Sequence, residues 1–242
     1  MSTEARVAVI ISAYNEAKLI ATTVRAARAI PHVDLVLVVD DGSADETGDK
    51  ARSVGAVVVR HPNNQGKSAA METGAQVVAM RDTPGAQPRL LLFIDGDMGA
   101  AAVNAAPLVP PVREGLADCA IALLPSKPGE TKPSSVVATA RRGTRALTGW
   151  TPEQPTSGMR CCTREAFEAA LPLSRGWGVE VGMTIDILLA GYVVVEVPCD
   201  LAWQPSEWDR GGAGLRAMIL RDVIKTIGTR RAKAAAGRLL RR

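Results

Sequence analysis

Short apolar runs alternate with amphipathic stretches through the first half of the chain. Residues 7–13, reading VAVIISA, form a buried-strand pattern. Residues 16–30 read as a helix with Leu19, Ile20, Val24 and Ala27 as its apolar stripe, stopped by Pro31. A strand over 35–39, a helix over 44–54, a strand over 57–59, a helix over 67–80 and a strand over 90–94 follow. Continuous Val/Ile/Leu strands separated by helices predict an α/β fold with a mainly parallel central sheet flanked by helices. Beyond Asp95 the pattern loosens. The expectations there are a strand over 117–124, a Pro-, Lys- and Gly-rich loop over 125–133, helices over 135–147, 163–170 and 179–190, and a strand over 193–197 closed by Pro198. No internal repeat and no linker interrupts the chain.

Composition narrows the class. The 242 residues are 47% hydrophobic and 22% charged, which excludes a disordered or fibrous chain. Aromatics at 3% argue against a stacking platform for single-stranded nucleic acid. No apolar run is long enough for a membrane span. No basic segment leads into a longer apolar stretch before residue 7, so no signal peptide is expected. Cys119, Cys161, Cys162 and Cys199 show no C-x-x-C spacing and no accompanying histidine pair, which argues against zinc. Buried free thiols in a reducing cytoplasm are the expectation. The formal charge is +4, and its placement is uneven. From Arg221 onward eight Lys/Arg face Asp222 alone, a net of +7, which leaves −3 for the rest.

Four polar clusters follow the first four strands. They are Ser12-Ala13-Tyr14-Asn15-Glu16, Asp40-Asp41-Gly42-Ser43-Ala44-Asp45, Asn63-Asn64-Gln65-Gly66-Lys67 and Asp95-Gly96-Asp97. One such cluster is an ordinary turn or helix cap. Four of them in sequence on one rim point to a ligand beyond the carboxyl ends of the strands. Asp95 and Asp97 flank a glycine, and neither is needed for packing after so apolar a strand. Two carboxylates so placed suit Mg²⁺ or Mn²⁺, which in turn neutralises a diphosphate. Gly66-Lys67-Ser68 resembles the end of a phosphate-binding P-loop, but His61 stands where its first glycine belongs. No G-x-G-x-x-G follows the first strand, which removes a dinucleotide site.

As an ordered set, these motifs resemble those of family 2 glycosyltransferases of the GT-A fold, over about residues 7–198. The resemblance implies a nucleotide-diphosphate sugar donor, with UDP-glucose the first expectation and GDP-mannose the second. It places Ala13, Tyr14, Glu16, Asp40 and Asp41 around base and ribose, Gly66 and Lys67 along the nucleotide pocket, and Asp95 and Asp97 on the metal. It divides the chain into a GT-A domain over 1–212, with a nucleotide half over 1–98 and an acceptor half over 99–212, and a basic helix and tail over 213–242.

The second half is similar to segments of bacterial glucosyl-3-phosphoglycerate synthases at Gln154-Pro155-Thr156-Ser157-Gly158 and at residues 176–182. Polyprenyl-phosphate sugar transferases share the N-terminal motifs. The resemblance puts Ser157, Gly158 and Gly178 on the acceptor or sugar side. Glu180 becomes the carboxylate near the reacting sugar, a general base in an inverting enzyme and a positioning group in a retaining one. Related enzymes often carry a histidine after the last Val-Pro strand end, whereas this chain reads Asp200-Leu201-Ala202-Trp203-Gln204-Pro205. The implied acceptor is a hydroxyl or phosphate, such as a polyprenyl phosphate or a small phosphorylated molecule. A catalytically degenerate nucleotide-sugar-binding protein is the alternative. The stripe Leu220, Val223, Ile224 and Ile227 suits a docked terminal helix. The basic tail suits peripheral contact with anionic lipid headgroups at the inner face of the membrane, and no nucleic-acid motif accompanies it.

Overall fold

The computed structural model describes residues 5–125, 133–200 and 212–239. β1 (Val7–Ala13) is apolar on both faces and lies inside a seven-stranded sheet. Val7, Val9, Ile11 and Ala13 enter one core layer, and Ala8 and Ile10 the other. β2 (Val33–Asp40) and β4 (Leu90–Asp95) flank β1 in parallel, and β3 (Val57–Arg60) lies parallel outside β2. The full order is β3-β2-β1-β4-β6-β5-β7. β5 (Cys119–Leu123) and β7 (Val194–Pro198) run parallel to each other, and β6 (Arg160–Cys162) is antiparallel to both β4 and β5. This is the mainly parallel α/β sheet that the pattern predicts.

Helices cover both faces. α1 (Ile20–Arg28), α2 (Thr47–Ser53), a 3-10 segment (Gly99–Leu108) and α4 (Val109–Arg113) close one face. α3 (Lys67–Met80), α6 (Arg164–Ala169) and α7 (Val179–Leu189) close the other. α5 (Ser135–Thr148) and the long α8 (Ala213–Leu239) stack outside α7 through Val136, Ala140, Val181, Ile185, Ile219, Val223 and Ile227. Caps set some of these boundaries. Ser134 accepts the Val137 N–H at the start of α5, and Thr163 accepts that of Ala166 at the start of α6.

Several expectations need correction. α1 is shorter than 16–30, because residues 15–17 bond to the segment after β2; Leu19 precedes the helix and is exposed. Ile224 on α8 faces solvent, and Ile219 takes the buried place on the stripe. The prolines at 107, 110 and 111 lie in the 3-10 segment and at the start of α4, where no element was expected. β6 was also unforeseen. It sends Cys161 to one core layer and Cys162 to the other, so the two neighbours cannot act as a vicinal redox pair. All four thiols are free and buried. Burial pushes Cys119 up to about 11 and Cys161 higher still. Residues 126–132 of the loop expected over 125–133, the segment 201–205 and residues 240–242 lie outside the described residues. No helix of the described residues is long and apolar enough to cross a membrane.

Candidate active site

Strand register builds the rim. Ala13 pairs with Asp40 across β1 and β2, and Ser12 with Asp95 across β1 and β4. The loop after β1 is tied to the loop after β2. Asn15, at φ 57°, accepts the Ala44 N–H on its side-chain oxygen at 2.8 Å and donates its own N–H to Ser43 Oγ at 2.9 Å. The N–H of Glu16 donates to Thr47 Oγ1 at 2.8 Å. These bonds leave Tyr14 exposed at the mouth and Glu16 half-buried beside it, with Ala13 buried beneath.

The two aspartates after β2 play different parts. Asp40 is fully buried; its Oδ1 accepts the Ser43 N–H, and its Oδ2 is buried with no hydrogen-bond partner, 3.7 Å from Arg60 Nε. Asp41 is also buried, and its carboxylate is fully engaged. It accepts the N–H groups of Gln65 at 2.9 Å and Gly66 at 2.7 Å, and its Oδ1 lies 2.6 Å from His61 Nδ1. His61 Nε2 in turn lies 3.0 Å from Thr73 Oγ1 of α3. Asp41 therefore fastens the loop that ends at Gly66, whose φ of 90° turns the chain into α3.

That turn delivers Lys67, the first residue of α3, to the centre of the site. Its ammonium lies 2.6 Å from Asp95 Oδ1 and 3.1 Å from Glu180 Oε1. Burial lowers the lysine pKa, but the Asp95 and Glu180 carboxylates outweigh it and hold Lys67 well above the ordinary lysine range. Glu180 sits in the first turn of α7 with its side chain 12% exposed. Gly158 closes over the pair: a Cβ there would collide with the Lys67 ammonium and lie 3.0 Å from Asp95 Oδ2. Ser157, beside it, is buried with its hydroxyl unpartnered. Gly178 faces elsewhere, because a Cβ on it would meet Thr226 and the Asp222 carbonyl of α8. The close approach that its small size permits is thus made by α8.

Asp97 is half-buried on the turn after β4. Thr23 of α1 pins that turn, donating to the Gly96 carbonyl at 2.9 Å and accepting the Gly99 N–H at 2.8 Å. Asp95 and Asp97 offer hard carboxylate oxygens, the donor class that Mg²⁺ and Mn²⁺ take. Among the described residues no three His, Cys, Asp or Glu converge. A cation held here would fill its other positions with diphosphate oxygens and water, so the donor set fits the metal.

Arg160 was not anticipated. It lies on β6 with 1% exposure, donating to the carbonyls of Ser157 at 2.6 Å and Glu180 at 3.3 Å and reaching Thr184 Oγ1 at 3.4 Å. One guanidinium thus joins the loop of Ser157 and Gly158 to the turn of Glu180. Its only sequence signal is a charge inside a short apolar run. Arg230 is likewise not a tail charge; it turns inward onto Asp186 and Ser174 and clamps α8 to α7.

The comparisons with known proteins converge. The family described as Glycosyl transferase family 2 matches residues 8–169. Glycosyltransferase AglJ of Haloferax volcanii is 27% identical over 206 residues, 82% of this chain and 63% of that protein. An uncharacterized protein of Methanocaldococcus jannaschii is 33% identical over 89 residues, 37% of this chain and 34% of that one. The chain therefore spans less than two thirds of the length of these curated relatives. Glucosyl-3-phosphoglycerate synthase of Mycobacterium tuberculosis, solved with Mg²⁺ and UDP, superposes with a TM-score of 0.71 at 23% identity, covering 93% of this chain and 79% of that one. The same enzyme solved with Mn²⁺, UDP-glucose and phosphoglyceric acid gives a TM-score of 0.65 at 23% identity and the same coverage. The shared architecture is the GT-A fold.

Proposed function

Because the chain belongs to glycosyl transferase family 2, we propose that it moves a sugar from a nucleotide-diphosphate sugar to an acceptor hydroxyl or phosphate. The observation that carries this reading is the meeting of Asp95 and Lys67 from the first half with Glu180 and Gly158 from the second. The rim of β1, β2 and β4 then belongs to the donor. Tyr14 and Glu16 flank the base and ribose at its mouth, and buried Asp40 lies behind them. Asp95 and Asp97 hold a divalent cation, Mg²⁺ or Mn²⁺. When bound, that ion supplies charge neutralisation for the departing diphosphate.

The chain's own groups do the rest. Lys67 offers its ammonium to the same leaving group. Gly158 keeps the second half close against these charges. Glu180 takes the proton of an acceptor hydroxyl if the reaction inverts, and positions the sugar if it retains. UDP-glucose is the preferred donor, supported by the bound ligands of the structural relatives, and GDP-mannose is second. A small phosphorylated acceptor and a polyprenyl phosphate both suit the reading. Residues 1–98 form the nucleotide half and 99–212 the acceptor half. The exposed Arg221, Lys225, Arg231 and Lys233 on α8 suit a cytoplasmic protein that touches anionic lipid at the inner face of the membrane.

Calorimetric titration of UDP and GDP, each with and without Mn²⁺, tests the reading. Metal-dependent binding of one nucleotide, lost in Asp95→Ala and in Asp97→Ala, is the expected result. Failure of both nucleotides to bind the folded protein with metal present sinks it. Binding without turnover on any acceptor selects the degenerate sugar-nucleotide-binding alternative.

A further inference from the structure

We propose that Lys67 makes cation uptake at the Asp95–Asp97 turn conditional on a diphosphate, so that metal and nucleotide bind as a coupled pair. The inference rests on the donor-site reading above and adds a binding order to it. Its ground is geometric. The ammonium bridges Asp95 Oδ1 at 2.6 Å and Glu180 Oε1 at 3.1 Å. Its backbone is fixed from behind, because Asp41 holds the N–H groups of Gln65 and Gly66 and is itself braced through His61 to Thr73. Gly158 limits the space above it. Lys67 therefore reaches the carboxylates from a rigid base, and only its flexible stem can move.

A divalent cation approaching Asp95 and Asp97 meets this ammonium on a shared carboxylate. Like charges so close repel, and the partly enclosed setting screens them poorly. The cation alone is thus opposed. A diphosphate changes the balance by bringing oxygens that accept charge-assisted hydrogen bonds from the ammonium. Lys67 then has a new partner, and Asp95 is released to the cation. By linkage, the factor by which the diphosphate tightens the cation equals the factor by which the cation tightens the diphosphate.

Titration of Mn²⁺, followed by the paramagnetic resonance of the free ion, tests this with no turnover required. The full chain is titrated with and without UDP, as native protein and as Lys67→Met, with Lys67→Gln as the substitute if the methionine variant does not fold. In the native protein UDP is expected to tighten Mn²⁺ binding by about tenfold or more. In Lys67→Met, Mn²⁺ alone is expected to bind about tenfold tighter than to the native protein, and the effect of UDP falls several-fold, to what direct ligation of the cation by the diphosphate supplies. Lys67→Arg keeps the charge and keeps the native coupling. Native coupling that persists unchanged in Lys67→Met overturns the inference while leaving the donor site standing. Absence of any UDP binding to the native protein removes the donor site and the inference together.

Discussion

The parallel strands carry a charged cluster at each end, and the two are built differently. At the amino end, Arg89 holds Asp34 with two parallel bonds of 2.7 and 2.9 Å and Asp82 with a third of 2.7 Å. Arg164 takes the other oxygen of Asp82 at 2.7 Å, and Arg6 adds a longer contact to Asp34. Every carboxylate oxygen there meets a guanidinium. At the carboxyl end a single ammonium serves Asp95 and Glu180, with Asp97 on the adjoining turn and Gly158 overhead. Rigid, saturated forks fasten a fold. A flexible point charge shared between two carboxylates leaves negative charge for another cation. The contrast separates a structural network from a binding one without reference to any relative.

The strongest way to break the contrast is to fill the space above the ammonium. Gly158→Ala puts a methyl group against the Lys67 ammonium and Asp95. The atoms it meets are side-chain ends, which can swing aside, so stability is expected to fall by less than about 1 kcal/mol. Activity is expected to fall by about a hundredfold, because displaced charges no longer match the transferring group. Transferase assays beside thermal unfolding check this. Full activity in Gly158→Ala would remove the glycine from the site.

The amino end is expected to answer the other way. Arg89→Met removes four hydrogen bonds from a largely buried guanidinium, three to the Asp34 and Asp82 carboxylates and one to the Arg81 carbonyl. A loss of about 2 kcal/mol is expected, with the remaining partners Arg6 and Arg164 limiting the damage, and nucleotide binding should be unchanged. Lys67→Met makes the matched comparison. Its ammonium is partly exposed, and its removal should cost under about 1 kcal/mol while altering ligand binding. Chemical denaturation of both variants decides it. Equal stability losses would mean that the two clusters do the same structural job.

Such a contrast is only half legible in a sequence. β1 and α3 follow directly from apolar run and helical period, and both begin and end where the pattern places them. Asp95 and Lys67 stand out because motifs at strand ends are local signals. Their meeting with Glu180 is not local; it depends on how α7 packs across the sheet. Asp41 shows the same gap, since nothing near it in the chain marks His61 as its partner. Gly178 reads as a site glycine by its neighbours, yet its close contact is with α8. Arg160 is hidden because β6 is three residues long, too short for a period, and the buried charge itself argues against a strand. Ile219 and Ile224 trade places because the contact with α5 and α7, not the stripe alone, sets the rotation of α8.

The smallest expected effect comes from the sheet between the two clusters. Arg89 and Lys67 both hold their protons well into alkaline solution, the first through Asp34 and Asp82 and the second through Asp95 and Glu180. The buried thiols do not share this constancy between states. Burial raises Cys119 from 9.0 to about 11, and Cys161 and Cys162 further. The native state keeps these protons, whereas the unfolded chain releases them above its ordinary thiol value. Stability therefore falls as pH rises, by about 0.4 kcal/mol per thiol at pH 9 and more steeply beyond it. Denaturant titrations between about pH 7 and 10 measure the slope, and Cys119→Ala should make it shallower by one proton's share. An unchanged slope would place the alkaline loss in the charged clusters instead, and the distinction between a fastened end and a binding end would then have to be drawn again.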